Sequence, residues 1–156
     1  MKYKFVVFFC LFACIKVFSQ NQLNVLITID DVITASYNLS DGYIIIKKDT
    51  IFLEYEMGRF KIDKNDYERL KQENIKENIF LNFSYSMFCP EQSNYDYSLK
   101  LQLDLLLQNY LLIRVYNFSS YPKTFIKENG YGFEYISSLG SETLPKRKKM
   151  KRNPCE

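Results

Sequence analysis

The chain has 156 residues, of which 47% are hydrophobic, 17% aromatic and 25% charged, with 13 Tyr, 13 Phe, 5 Gly and no Trp. These proportions fit one globular domain and exclude a disordered chain, a collagen-like repeat and a glycine-rich low-complexity segment. The formal charge is +3 and histidine is absent, which excludes Ser-His-Asp and Cys-His catalysis and His-ligated zinc.

The N-terminus opens with Lys2 and Lys4, followed by an unbroken apolar run over residues 5–15 that Lys16 ends. A membrane-spanning helix needs about twenty apolar residues, so this run has the length of a secretory h-region. Val17 and Ser19 stand at −3 and −1 of a cleavage site that leaves Gln20 as the mature N-terminus. The segment resembles the signal peptides of bacterial exported proteins that end in Phe-Ser-Gln, which implies a secreted or periplasmic protein. Leu11-Phe12-Ala13-Cys14 resembles a lipobox, and lipidation at Cys14 is the alternative, giving an envelope lipoprotein. Bulky Phe12 and the short preceding apolar stretch favour simple cleavage. The expected organisation is a signal peptide over 1–19, one domain over 20–140 and a basic, exposed and mobile C-terminal tail over 141–156, with no transmembrane helix after processing.

Behind the leader, acidic and basic residues balance, but unevenly. Lys146, Arg147, Lys148, Lys149, Lys151 and Arg152 crowd the tail, leaving the domain itself mildly acidic. An acidic globule offers phosphates little, so nucleic acid is not an expected partner. The basic tail suits an anionic surface, such as acidic lipid head groups or an anionic polysaccharide.

The elements read in chain order as follows. Residues 23–29 and 32–37 form strands around an Asp30-Asp31 turn. Asp41-Gly42 marks a turn before a strand at 43–48. Asp49-Thr50 leads into 51–56, and Gly58 separates that strand from 59–62. Strands this closely spaced predict an antiparallel meander. A helix covers about 64–76, with Asp63 as N-cap and Asp66 in its first turn; Tyr67, Leu70, Asn74 and Ile75 share one face.

Alternation then returns. In 79–88, Ile79, Leu81, Phe83, Tyr85 and Met87 share one face, while Asn82, Ser84 and Ser86 share the other. In 99–107 every odd position is leucine, which lines one face only on a strand. Gln108-Asn109 offers a turn, and 110–118 reads as the returning strand of a hairpin. A short helix from Pro122 to before Gly130 and a last strand at 132–139 complete an α+β fold. It is predominantly antiparallel sheet, built of meanders and hairpins, with one covering helix.

Cys89 and Cys155 remain in the mature chain, and in an exported protein they predict one disulfide. It would close a loop of about 66 residues, worth roughly 4 kcal/mol in the chain-entropy model. Two isolated cysteines cannot supply a zinc site.

Candidate chemistry is sparse. Glu54 and Glu56 lie two apart on a strand and would project from one face, the minimum for a carboxylate pair in glycoside hydrolysis. Asp30-Asp31 reads as a hairpin turn before it reads as a calcium ligand pair, since no EF-hand spacing follows. Ser120 and Lys123 match S-x-x-K, but Pro122 lies between them and the companion motifs are missing. No phosphate-cradling glycine motif occurs, and no cofactor is implied. Asn38, Asn82 and Asn117 fit the glycosylation pattern. Tyrosines crowd the chain beyond residue 84, as sheet packing first and a recognition face second. The expected function is an exported, small, non-enzymatic binding or structural module of the cell envelope or extracellular space. Its partner would be a protein or glycan. A carboxylate-dependent hydrolase and an inhibitor- or immunity-type lipoprotein are the alternatives.

Overall fold

The computed structural model describes residues 21–74, 76–88, 92–117 and 130–142. The leader, Cys89, Ser120, Lys123, the helix expected from Pro122, the basic residues 146–152 and Cys155 lie outside these.

Eleven strands form two sheets among the described residues. The larger sheet has the order β1 (Gln22–Leu23), β6 (Arg59–Lys61), β5 (Asp49–Glu56), β4 (Leu39–Ile46), β7 (Asn78–Phe88), β8 (Gln92–Gln102). The smaller has the order β11 (Ser141–Glu142), β10 (Tyr131–Ser137), β9 (Leu111–Asn117), β2 (Val25–Ile29), β3 (Val32–Ile33). Every pairing is antiparallel except β2 with β9, which is parallel from Val25↔Leu111 to Ile29↔Val115.

The expected predominance of antiparallel sheet stands. The sheets share one core: Ile44, Ile51, Leu81 and Leu99 come from the larger, and Val25, Ile27, Ile113 and Val115 from the smaller. Each sheet therefore covers the other's apolar face, which is how two amphipathic sheets remove their inner surfaces from water.

Tyrosine hydroxyls cross between the layers. Tyr55, on β5, accepts the Gly58 N–H at 3.3 Å, and its oxygen lies 3.1 Å from Thr34 Oγ1, just beyond β3. Tyr97, on β8, donates to Asn117 Oδ1 on β9 at 2.7 Å. Burial pushes the Tyr97 phenol well above the usual tyrosine range, against the opposing pull of its Asn117 hydrogen bond.

Asp30 and Asp31 form the β2–β3 turn with φ of 50° and 66°. Two consecutive left-handed residues are what a two-residue hairpin loop needs to match strand twist, and Asp tolerates that region better than most. Gly58, with φ 87°, turns β5 into β6.

Helix α1 (Lys64–Gln72) begins where expected, with Asp63 accepting the Asn65 N–H at 2.8 Å. It stops at Gln72, short of the expected 76. It buries Leu70 fully and packs Tyr67 partly against the core. It plugs one place in the core, and the sheet faces are closed by each other, so the covering role expected of it belongs to the second sheet.

Several boundaries differ from the sequence reading. The expected strand at 99–107 ends at Gln102, and Leu103–Leu106 form a helical turn, α2. The Leu103 N–H donates to the Glu77 carbonyl at 2.9 Å, and Leu103, Leu105 and Leu106 are all buried. Three buried leucines within four residues fit a helical turn enclosed by core and not a one-faced strand. The strand expected at 110–118 exists as β9, but it does not return beside β8. It enters the smaller sheet between β2 and β10, because β9 buries Leu111, Ile113 and Val115 against the inner face opposite β8.

The N-terminal strands are not one meander. β2 and β3 belong to the smaller sheet, and β1 with β4, β5 and β6 to the larger. The strand expected over 32–37 shrinks to Val32–Ile33, then a 3-10 turn at Ser36–Asn38.

Asp41-Gly42 is not a turn. Both residues lie inside β4, where the register with β7 shifts between Ser40 and Tyr43. A Cβ on Gly42 would stand 3.2 Å from both the Leu53 carbonyl oxygen and Phe60 Cε1, so close backbone approach explains this glycine. Finally, Ser141 and Glu142, expected at the start of a mobile tail, pair with β10 after a turn at Gly140.

Candidate functional site

The outer face of the larger sheet carries the even positions of β7 and β8, turned from the core by the two-residue period. There Asn82 pairs with Ser98, and Ser84 with Asp96. Tyr43, on β4, stands opposite Asn82 on the other side. Tyr131, at the start of β10, reaches the free side of β8. A cleft of about 480 Å³ opens among Tyr43, Asn82, Ser84, Asp96, Ser98 and Tyr131. This lies within the range of ordinary ligand pockets.

The polar groups of the cleft are partly fixed. Ser84 Oγ donates to Asp96 Oδ1 at 2.6 Å, orienting the carboxylate. Asn82 is buried, and its amide nitrogen donates to the Phe80 carbonyl at 3.0 Å. That bond uses one of the amide's two donors, and Oδ1 is an acceptor on a residue that lines the cleft. The Tyr131 hydroxyl sits between the Ser98 carbonyl, to which it donates at 2.8 Å, and the Ser98 N–H, from which it accepts at 2.9 Å. Its ring meets Tyr97 edge to face, with centroids 5.1 Å apart. The site therefore offers a carboxylate, an amide oxygen and a hydroxyl beside the aromatic rings of Tyr43 and Tyr131.

Glu54 and Glu56 do share the outer face of β5, but their surroundings are those of ion pairs. Glu56 meets Lys61 in a close salt bridge, and Arg59 Nη2 at 2.6 Å. The Lys61 and Arg59 hydrogen bonds hold its carboxyl below the usual glutamate range, and Glu56 in turn raises Lys61. A general acid at neutral pH needs the opposite shift.

At the end of the smaller sheet, Asp30 Oδ1 accepts the Asn117 N–H at 3.0 Å. The Tyr116 hydroxyl lies 3.3 Å from Asp31 Oδ1 and 3.0 Å from Glu134 Oε1. Asp30 and Asp31 thus serve a turn and its anchoring, and no group of three or more metal-binding side chains occurs among the described residues.

Asn82 and Asn117 sit buried in strands, so the folded domain closes them to glycosylation; Asn38 is half-buried at the end of the 3-10 turn. Of the tyrosines beyond residue 84, Tyr85, Tyr97 and Tyr116 are buried, and Tyr95, Tyr131 and Tyr135 pack against the core. Tyr110 is exposed, and Tyr121 lies outside the described residues.

Sequence reasoning missed the cleft. It placed Asn82, Ser84 and Ser86 on an outward face, but nothing in the pattern brought Tyr43 and Tyr131 to them. No helix among the described residues is long and apolar enough to cross a membrane. No protein-family model, curated protein or solved structure matches the chain.

Proposed function

We propose that the protein is an exported, non-enzymatic binding module of the cell envelope or extracellular space, and that the outer-face cleft holds its ligand. The observation that carries this reading is the cleft itself, where Asp96, Asn82 and Ser98 converge beside Tyr43. The leader at residues 1–19 supports export. The lining favours a neutral glycan. Asp96 and Asn82 Oδ1 are acceptors for sugar hydroxyls, and the Tyr43 ring offers an apolar face to ring C–H groups. Glu56, ionised and paired, does not favour the hydrolase alternative.

The test has two arms. The full chain is expressed with its own N-terminus, fractionated, and the mature mass read; export predicts a chain starting at Gln20, or at acylated Cys14. The mature protein is then titrated with neutral oligosaccharides and with unstructured peptides while the amide signals of Asn82, Ser84, Asp96 and Ser98 are followed by NMR. Saturable shifts with a glycan, lost in Asp96→Asn, support the reading. Shifts with neither probe class, or a chain that stays in the cytosol with Met1 in place, overturn it.

A further inference from the structure

The free side of β8 is the longest sheet edge among the described residues. The other edge strands, β1, β3 and β11, are two residues each, whereas β8 runs for eleven. An open edge of that length is a template for strand addition unless something covers it.

Among the described residues, what covers its middle is a single side chain. The Tyr131 hydroxyl both donates to the Ser98 carbonyl and accepts from the Ser98 N–H, at 2.8 and 2.9 Å. These are the two bonds that a facing residue of a neighbouring antiparallel strand would make. Backbone groups alternate sides along a strand, so Asp96 and Lys100 aim theirs to the same open side as Ser98.

The sequence around Ser98 is self-complementary. Asp96 and Lys100 stand two residues to either side of it, both exposed, with side chains on the outer face. Two copies of β8 paired antiparallel about Ser98 would set Asp96 of each directly opposite Lys100 of the other. Opposite charges facing across strands favour pairing, and a two-fold axis repeats the match. Lys100 has no ion pair with another described residue.

From the charge match and the occupied Ser98 bonds we infer that β8 is a homodimerisation edge held shut by Tyr131, and that its partner is a second copy of this chain. When the Tyr131 ring swings away, Ser98 exchanges both main-chain bonds with Ser98 of the second copy. The two larger sheets become one continuous sheet, and two Asp96–Lys100 pairs form across the two-fold. The phenol and the second strand compete for the same N–H and carbonyl, so the closed monomer and the open dimer exclude each other.

The test uses the mature chain in sedimentation velocity over a concentration series, with far-UV circular dichroism to check the fold. Wild type is expected to sediment as a monomer at low concentration, and Tyr131→Ala to shift to twice that mass. In the Tyr131→Ala background, Asp96→Lys sets like charges opposite each other and returns the monomer. Adding Lys100→Asp restores the match with the signs exchanged, and with it the dimer. A folded Tyr131→Ala protein that stays monomeric, or one whose association ignores the Asp96 and Lys100 charges, overturns the proposal. Association through some other surface or with some other chain would show that charge-blind behaviour.

Should Tyr131→Ala not fold, Tyr131→Phe keeps the ring against Tyr97 and removes only the hydroxyl. Faster Ser98 amide exchange together with association at lower concentration than wild type supports the proposal. If neither changes, the proposal fails.

Discussion

Tyr97 and Asn117 are joined across the two layers: the phenol of β8 donates to the side-chain oxygen of β9 at 2.7 Å, and both residues are buried. Asn117 also gives its N–H to Asp30 Oδ1 at 3.0 Å, so one short chain of bonds runs from the larger sheet to the β2–β3 turn. A buried acceptor that loses its donor keeps its desolvation cost, which makes this link more expensive to break than to omit.

Tyr97→Phe is therefore expected to destabilise the domain by about 1–3 kcal/mol, because Asn117 Oδ1 stays buried without a donor. The same phenol makes stability depend on alkaline pH. Its folded pKa is raised by burial, so its contribution is fully present below the ordinary value of 10.0 and is lost as pH climbs from there toward the folded value. Urea unfolding at neutral pH and above pH 10.0 measures both effects. The wild type should lose more stability across that interval than Tyr97→Phe.

Gly42→Ala is expected to cost about 1–3 kcal/mol, the usual range for overpacking. The added methyl would meet the Leu53 carbonyl oxygen, which is backbone and cannot move aside, and Phe60 Cε1, whose ring is fully buried. Thermal or urea melts of the variant measure this. A melt identical to wild type would mean that β4 and β5 separate there without penalty.

Leu70→Ala empties the one fully buried position of α1 and should cost about 2–5 kcal/mol. Lys71→Ala, one residue on, removes an exposed pair with Glu68 and the ammonium that stands 4.6 Å from the Tyr67 ring centroid, and should stay within about 1 kcal/mol. Comparing the two by chemical denaturation separates docking of the helix from its surface charge.

Glu56 should titrate below the ordinary glutamate value of 4.5, and Lys61→Ala should bring it back toward that value. A depressed carboxylate contributes stability above its unfolded pKa, and this is lost as pH falls through the folded one. Carbon-detected NMR of the side-chain carboxyl follows both chains directly. Both partners are only half-buried, so solvent ions reach the pair and the effect should shrink as salt is added.

Much of this architecture was legible in the residues. The two-residue period of 79–88 and the leucines at 99 and 101 set which faces are buried, and Asp63 marked the helix start. Failure came where local pattern and tertiary demand disagree. Leu103 to Leu107 keep the strand alternation at odd positions, but Leu106 is also apolar, and the enclosed segment folds as a turn of helix. Gly42 looks like a turn residue and is instead a residue kept small by Phe60 across the sheet. The cleft was invisible because Tyr43 and Tyr131 are 88 positions apart. Only the stacking of one sheet on the other brings Tyr131 to β8, and no short-range pattern encodes that.

The parallel seam between β2 and β9 has a cost in time. Val25 finds its partner Leu111 only after more than eighty further residues have been made, so the smaller sheet cannot close on a nascent chain until most of the polypeptide is free. Until then Val25, Ile27 and Ile29 must wait without their strand neighbour. A fold with such distant pairing assembles slowly compared with a helical bundle of equal size. A chain cut before Leu111 should therefore be aggregation-prone in place of native-like.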